Sequence, residues 1–343
     1  MTFQVTVNPS GHQFACEADE TILAAALRAN VGLPHGCKNG ACGACKGKIV
    51  TGESKLGKHQ EKTLTADEAQ HGMSLFCCTT PLSDMTIEVR EVEVGEFPSK
   101  KLPTRIAKIE KLSHDVMLIN LQLPATEKFA FRAGQYIEFL LRDGKRRSYS
   151  MANAPHMSDQ ISLHIRHMPG GLFTDQVFTT LKERDILRIE GPQGSFFLRE
   201  DSDKPIILLA SGTGFAPIKA VIEHAFEQGV TRPMTLYWGG RRPADLYMHQ
   251  LCLDWAATHA NFNYVPVVSD AAAEDQWSGR TGFVHRAVLE DYSDLSSIQV
   301  YACGAPIVVD SAKRDFVAQA HLPVDEFYAD SFISEADLVS SIT

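Results

Sequence analysis

No apolar run in the 343 residues approaches the length of a bilayer span, so a transmembrane helix is not expected. Met1 to Val7 alternates like a strand and has neither the basic start nor the apolar stretch of a secretory signal. Basic excess is lacking as well: 33 Lys and Arg stand against 42 Asp and Glu, a formal net charge of −9. That balance argues against nucleic acid or an anionic membrane as partner, and it is compatible with steering toward a basic protein surface. What is present is a chain 44% hydrophobic and 22% charged, long enough for two or three domains. A cytoplasmic location is the expectation, with reducing conditions keeping thiols such as Cys16 and Cys252 free, and a monomer is the default oligomeric state.

The cysteines carry the first chemistry. Cys37, Cys42 and Cys45 are spaced C-x4-C-x2-C, and Cys77-Cys78 follows at a distance, which is the ligand pattern of a plant-type 2Fe-2S cluster. Gly36, Gly40, Ala41, Gly43 and Ala44 are small, so the backbone can curl around a compact inorganic core with its N–H groups toward sulfur. A zinc site would favour paired C-x2-C units or histidines at finger spacing. A disulfide framework would go with an export signal and a chain too small to fold without staples. Side chains of neighbouring strand residues point to opposite faces, so only one of Cys77 and Cys78 is expected to face the cluster.

Around that loop the chain alternates in short strands. Phe3 to Val7 and Gln13 to Cys16, with Asn8-Pro9-Ser10-Gly11 between them, read as a hairpin. Thr21 to Ala29 has helical spacing, Lys46 to Gly52 and Met85 to Val89 read as strands, and Thr65 to Glu68 has the form of a capping box. Together these pieces predict a β-grasp domain over 1–93. A charged, aperiodic stretch follows and reads as a linker at 94–102. Short strands at 105–110, 116–122, 136–141, 161–167 and 186–190 predict a small antiparallel barrel over 103–200. At Ile206 to Ala210 the rhythm changes to a continuous apolar run, as for a parallel strand buried on both faces, with a helix at 216–228. Further strand candidates at 234–237, 263–268 and 299–303 make residues 201–343 an α/β sheet of the nucleotide-binding kind.

Two turns in these regions suit phosphates and flat rings. Arg147, in Arg147-Ser148-Tyr149-Ser150, is a planar, permanently charged group suited to a pyrophosphate. Tyr149 offers a flat face to an isoalloxazine ring and Ser150 a hydroxyl for its N5 edge. Gly170 and Gly171 permit close backbone approach, with Thr174 as a further phosphate contact. Arg146 is expected to face solvent. His164, Arg166 and His167 either line the flavin or decorate a strand, with Arg166 the favoured flavin neighbour. Gly212 and Gly214 let the chain turn sharply and bring helix N-terminal N–H groups against a second pyrophosphate. Arg241, after the next strand candidate, can accept a ribose 2′-phosphate, yet no acidic residue there selects NADH decisively.

These motifs, in this order, resemble the ferredoxin-NADP reductase superfamily over nearly the whole chain, from Phe3 to about Phe332. The resemblance rests on R-x-Y-S at 147–150, G-G-x-x-S/T at 170–174, G-T-G-x-x-P from Gly212, Thr213 and Gly214 to Pro217, and C-G-x-P from Cys303 and Gly304 to Pro306. It implies a multidomain α+β protein: a β-grasp 2Fe-2S ferredoxin domain, an antiparallel β-barrel FAD domain and an α/β parallel-sheet NAD(P)-binding domain. FAD rather than FMN is implied by the motif order. Similar ferredoxin domains place a proline four residues after the last ligand, and Pro81 thereby selects Cys77. The resemblance puts Cys303 beside the nicotinamide, where hydride passes to the flavin, and Phe332 over the flavin's other face, with Asp330 where the family usually has Glu. NADH is implied over NADPH by similarity to the nearest reductases.

The domain order is that of reductase components of multicomponent bacterial oxygenases and of the CDP-6-deoxy-glucoseen reductase group; the phthalate-dioxygenase type has its ferredoxin at the C-terminus. A nicotinamide gives up two electrons together and a 2Fe-2S cluster takes one, so FAD is needed between them. The expected activity is NAD(P)H oxidation with single electrons leaving through the cluster to an acceptor redox protein. The acceptor is first an oxygenase component acting on an aromatic substrate, second the iron-sulfur dehydratase of a CDP-deoxysugar pathway. A carrier without NAD(P)H activity is the reading from another class.

Overall fold

The hairpin expected at the N-terminus forms: β1 (Thr2–Asn8) pairs antiparallel with β2 (Gln13–Glu17), with Val5 opposite Phe14 and Phe3 opposite Cys16. The structure is a computed structural model that describes residues 1–92, 97–157 and 159–332. Residues 1–92 with 331 and 332 form one compact unit, and residues 97–330 form a second.

In the first unit, helix α1 (Ile22–Arg28) starts where Thr21 accepts a hydrogen bond from Ala24 N at 3.3 Å. It ends at Asn30, whose positive φ of 61° breaks the repeat. Its apolar face, Ile22, Leu23 and Ala26, packs with Val5, Val7, Phe14, Leu75, Phe76 and Ile87, all of them buried. Each fully buried large side chain of this set contributes about 2 kcal/mol. Strand β3 (Lys46–Thr51), β4 (Ser54–Leu56), helix α2 (Ala66–Gln70), β5 (Met73–Leu75), β6 (Thr79–Pro81) and β7 (Met85–Glu88) follow. The main sheet runs β2-β1-β7-β3-β5, with β1 parallel to β7, and β4 and β6 make a separate pair. The capping box at Thr65 and Glu68 is formed, and Lys46 Nζ donates to Glu68 Oε1 at 2.7 Å.

The second unit carries two sheets. Six antiparallel strands, β8 (Lys100–Lys111), β9 (Val116–Gln122), β10 (Tyr136–Leu140), β11 (Arg146–Ser150), β12 (Gln160–Arg166) and β13 (Ile186–Gln193), lie in the order β11-β10-β13-β8-β9-β12. A bridge from Met151 to Leu163 joins the two outer strands and closes the barrel. Helix α3 (Leu172–Thr179) packs Phe173 and Val177 into the barrel core. Strand β8 begins at Lys100, so the linker expected to reach residue 102 ends earlier; its residues 93–96 lie outside the described ones. Pairing with β13, Leu102 opposite Ile189, orders a stretch whose own sequence has no strand period.

The other sheet runs β17-β16-β15-β14-β18-β19. It is built from β14 (Ile206–Ser211), α4 (Phe215–Glu227), β15 (Met234–Gly240), α5 (His249–Thr258), β16 (Phe262–Val268), β17 (Arg280–Thr281), α6 (Val284–Asp291), β18 (Gln299–Gly304), α7 (Pro306–Ala320) and β19 (Phe327–Ser331). Residues 206–210 are all buried, and β14 is parallel to both neighbours, β15 and β18. The chain first winds from β14 toward β17, then crosses back to β18. The strand order therefore reverses beside β14, and a ligand crevice is expected at the carboxyl ends of β14 and β18. Among the described residues no helix is long and apolar enough to cross a membrane.

Candidate functional site

Three sites can be built from these elements. In the first unit, the loop from Cys37 to Cys45 folds onto itself through glycines at positive φ, Gly40 at 77° and Gly43 at 72°. Gln60 N and Thr63 Oγ1 donate to Gly40 O at 3.2 and 2.9 Å and pin the loop from outside. Backbone N–H groups point at sulfur as the small residues promised: Ala41 N and Cys42 N each donate to Cys37 Sγ at 3.3 Å, and Cys37 N to Cys42 Sγ at 3.4 Å.

The four thiols meet in two pairs. A hydrogen bond from the Cys42 thiol favours the thiolate of Cys37, and one from Cys45 favours that of Cys77, while Cys42 and Cys45 are pushed up in return. Converging sulfurs, Cys45 and Cys77 buried and Cys37 and Cys42 half-buried, with N–H donors aimed at them, fit an iron-sulfur cluster, whose ligands are thiolates. One expectation about the fourth sulfur fails. Residues 76–78 form a turn between β5 and β6 rather than strand, so alternation does not separate the two thiols, and Cys77 Sγ and Cys78 Sγ lie 3.5 Å apart.

On the barrel, Tyr149 lies in β11 opposite Ile137, and its ring packs on Phe139 and Phe173 at 5.8 and 5.6 Å. Burial pushes its hydroxyl well above the ordinary range. Ser150, next along, is buried, and Arg147 is half-buried with Nη1 donating to Arg146 O at 2.8 Å. Arg146, expected to face solvent, is exposed and bridges Glu138 and Glu190 at 2.8 Å each. Gly170 has φ 83°, and Gly171 opens α3 with no side-chain cap, leaving helix N–H groups for an anion. Thr174 Oγ1 is engaged with Met168 O at 2.9 Å and Met168 N at 3.2 Å, so this hydroxyl ties the glycine turn to the helix. An arginine and an aromatic ring on β11, with a glycine turn after β12, fit a flavin dinucleotide.

The crevice at β14 and β18 is tight. A Cβ on Gly214 would lie 2.1 Å from Cys303 O and 2.6 Å from Gly304 Cα, and one on Gly304 2.5 Å from Ser211 O. Gly212, Thr213 and Gly214 form a single buried 3-10 turn, and Pro217 sits in the first turn of α4, where it withholds no needed donor. Trp238 Nε1 donates to Gly212 O at 3.1 Å, and the Trp238 ring stacks on Phe215 at 3.8 Å. Cys303 is wholly buried, and burial first, then Asp330, pushes its thiol far up, so it is a neutral wall rather than a nucleophile. Phe332 is half-buried directly after β19.

Arg166, expected near the flavin, lies against the nucleotide turn. Its Nε donates to Asp115 Oδ2 at 2.8 Å, and its Nη1 lies 2.7 Å from where a Gly212 Cβ would stand. His164 bonds Tyr247 Oη through Nδ1 at 3.0 Å, and His167 bonds Asp175. Beside β15, Asp245 Oδ2 accepts from both Arg241 N and Arg242 N, at 2.8 and 3.0 Å. The Arg242 side chain is held by Glu274 and Asp275, whereas the exposed Arg241 guanidinium has no such partner among the described residues. Asp115 and Tyr247 had no signal in the sequence, since they are neither spaced in a motif nor near their partners along the chain, whereas Asp245 lies within four residues of Arg241 and Arg242 but in no recognised motif.

Comparison with known proteins finds a matching family for each of the three regions that carry these sites. Family models match at residues 5–82 (2Fe-2S iron-sulfur cluster binding domain), 103–198 (oxidoreductase FAD-binding domain) and 208–314 (oxidoreductase NAD-binding domain). A Yersinia pestis CDP-6-deoxy-L-threo-D-glycero-4-hexulose-3-dehydrase reductase is 40% identical over 97% of this chain and 99% of its own length. Reductase component 1 of the Comamonas terephthalate 1,2-dioxygenase is 34% identical over 97% of this chain and 98% of its own. Among solved structures, the Amycolatopsis cytochrome P450 reductase GcoB superposes with a TM-score of 0.78 at 32% identity, covering 96% of this chain and 99% of that one. The chain belongs to the ferredoxin-NADP reductase superfamily, as an oxidoreductase that takes electrons from NAD(P)H through FAD to a 2Fe-2S cluster.

Proposed function

We propose that this reductase delivers its electrons to the oxygenase component of a multicomponent, aromatic-type oxygenase. Relatives named as reductase components or subunits of a terephthalate 1,2-dioxygenase, a phenol 2-monooxygenase and an aromatic O-demethylase, 33–35% identical, support that acceptor. A second reading, the iron-sulfur dehydrase of a CDP-deoxysugar pathway, is favoured by the higher identity, 40%, to two reductases of that class. The domain limits proposed are 1–93, 103–200 and 201–343, and the three family matches fall inside them. The protein is proposed to act as a cytoplasmic monomer.

In the proposed site Cys37, Cys42, Cys45 and Cys77 hold the cluster. Arg147, Tyr149, Ser150, Gly170, Gly171 and Thr174 form the flavin cradle, Arg147 as a charge for pyrophosphate and Ser150 as a hydroxyl at the ring edge. FAD, when bound, accepts an electron pair and releases single electrons. The nicotinamide nucleotide lies along Gly212 to Pro217 and Cys303-Gly304, with Arg166 as a cation over the turn and Arg241 at the ribose. Cys303 keeps water from the ring, and Phe332 covers the flavin. NADH is the proposed donor. The observation that carries this reading is the contact of the Gly214 turn with Cys303 and Gly304 at the point where strand order reverses.

The acceptor is tested by supplying NADH and the purified reductase with each candidate partner encoded beside it. Product formed only with an oxygenase component, dioxygen and an aromatic substrate supports the first reading. Turnover only with a sugar-nucleotide dehydrase overturns it in favour of the second.

A further inference from the structure

We propose that Cys78 sets the reduction potential of the iron-sulfur centre by donating its S–H to the sulfur of Cys77. The inference rests on the reading of Cys37, Cys42, Cys45 and Cys77 as ligands and assigns a role to a fifth cysteine outside that set. Cys78 Sγ lies 3.5 Å from Cys77 Sγ, within reach of a thiol donor. The contact is built into the turn. Cys78 N donates to Leu75 O at 2.8 Å, and Cys78 O accepts from Gly57 N at 2.7 Å, so the backbone on both sides of the Cα is held. The thiol is seated as well: a Cβ on Gly40, midway between Cys37 and Cys42, would lie 2.7 Å from Cys78 Sγ. Gly40 leaves room for this sulfur on the ligand loop itself, and the thiol is half-buried there.

One-electron reduction adds a negative charge that is shared with the ligand sulfurs. A donor aimed at one of them stabilises the reduced state more than the oxidised one, and hydrogen bonding to sulfur is a recognised control on such potentials. Removing the S–H should therefore make the cluster harder to reduce, whereas a hydroxyl in its place should keep the donor. A side chain that only fills space predicts no such split.

The test uses the full-length holoprotein and three variants, Cys78→Ala, Cys78→Val and Cys78→Ser, with Cys77→Ala alongside. Iron and sulfide content reports whether the cluster assembles, and a redox titration followed by electron paramagnetic resonance gives its potential. Cys78→Ala and Cys78→Val are expected to hold a full cluster whose one-electron equilibrium shifts about tenfold toward the oxidised form, roughly 59 mV. Cys78→Ser is expected to stay near the wild-type value. Equal potentials in all four cluster-bearing proteins overturn the inference and leave the ligand reading standing. Loss of iron from Cys78→Ala with retention in Cys77→Ala overturns the ligand reading itself. Should the Ala and Val variants fail to fold, resonance Raman of the wild type in H2O and D2O decides against Cys78→Ser: an Fe–S(Cys) band with the same isotope shift in both, despite S–H being replaced by O–H, overturns the inference, and a changed shift supports it.

Discussion

Replacing Gly214 by alanine adds one methyl group at the most crowded point of the nucleotide crevice. That Cβ would stand 2.1 Å from Cys303 O, 2.4 Å from Cys303 C and 2.6 Å from Gly304 Cα, all backbone atoms with no rotamer to yield. Gly214 has φ −57°, open to any residue, so the effect is steric and not conformational. Contacts below 3.0 Å do not occur for real Cβ atoms, so the two turns must part by about 1 Å. A displacement of that size at a reacting centre lowers the rate about a hundredfold. The assay is anaerobic stopped-flow reduction of the flavin by NADH, with flavin content, cluster absorbance and reduction by dithionite as controls. Gly214→Ala should keep both cofactors and dithionite reduction while flavin reduction by NADH slows about a hundredfold. Wild-type rates with an unchanged KM would refute the placement of nicotinamide between these turns.

Other outcomes follow from the same structure. Gly40→Ala forces a Cβ into φ 77° and onto Cys78 Sγ and the His59 backbone, so the protein should be purified with most of its iron missing and its flavin retained, as iron analysis would record. Arg241→Ala removes an exposed cation beside β15 and should raise KM for NADPH about tenfold while leaving that for NADH within twofold, as steady-state kinetics with each donor would read. Asp315 is buried, and its carboxyl is held below the usual range chiefly by Arg314, with Arg286 and His285 beside it. Its stabilisation is present above the ordinary carboxyl pKa and lost as pH falls through the lowered value. Burial likewise depresses His285, whose contribution is lost as pH falls below about 6.5. Thermal melts carried from pH 7 to below pH 3 should show Asp315→Asn less stable by about 2 kcal/mol at pH 7, with the gap kept down to about pH 4 and closing only below it.

The parts that sequence alone revealed share a physical trait: their geometry is local. C-x4-C-x2-C fixes a loop because a few bonds separate the sulfurs, and the apolar run at 206–210 is a buried parallel strand wherever it lies. Thr65 and Glu68 cap a helix within four residues. What escaped was non-local. Alternation was the wrong rule for Cys77 and Cys78, because a turn stands where a strand was assumed. Residues 100–102 looked like linker, since only pairing with β13 makes them strand. Arg166 is held by Asp115 on the β8–β9 turn and lies against Gly212, neighbours that no spacing could have signalled.

In this reductase a single chain converts an electron pair into single electrons. The most direct test of that conversion is an anaerobic titration of the holoprotein with NADH, following flavin absorbance and the cluster's paramagnetic signal together. The flavin should bleach and the cluster signal should grow within the same protein, the chain taking up the flavin's two electrons and the cluster's one. A flavin reduced by NADH beside a cluster that stays oxidised, although dithionite reduces it, would contradict the account.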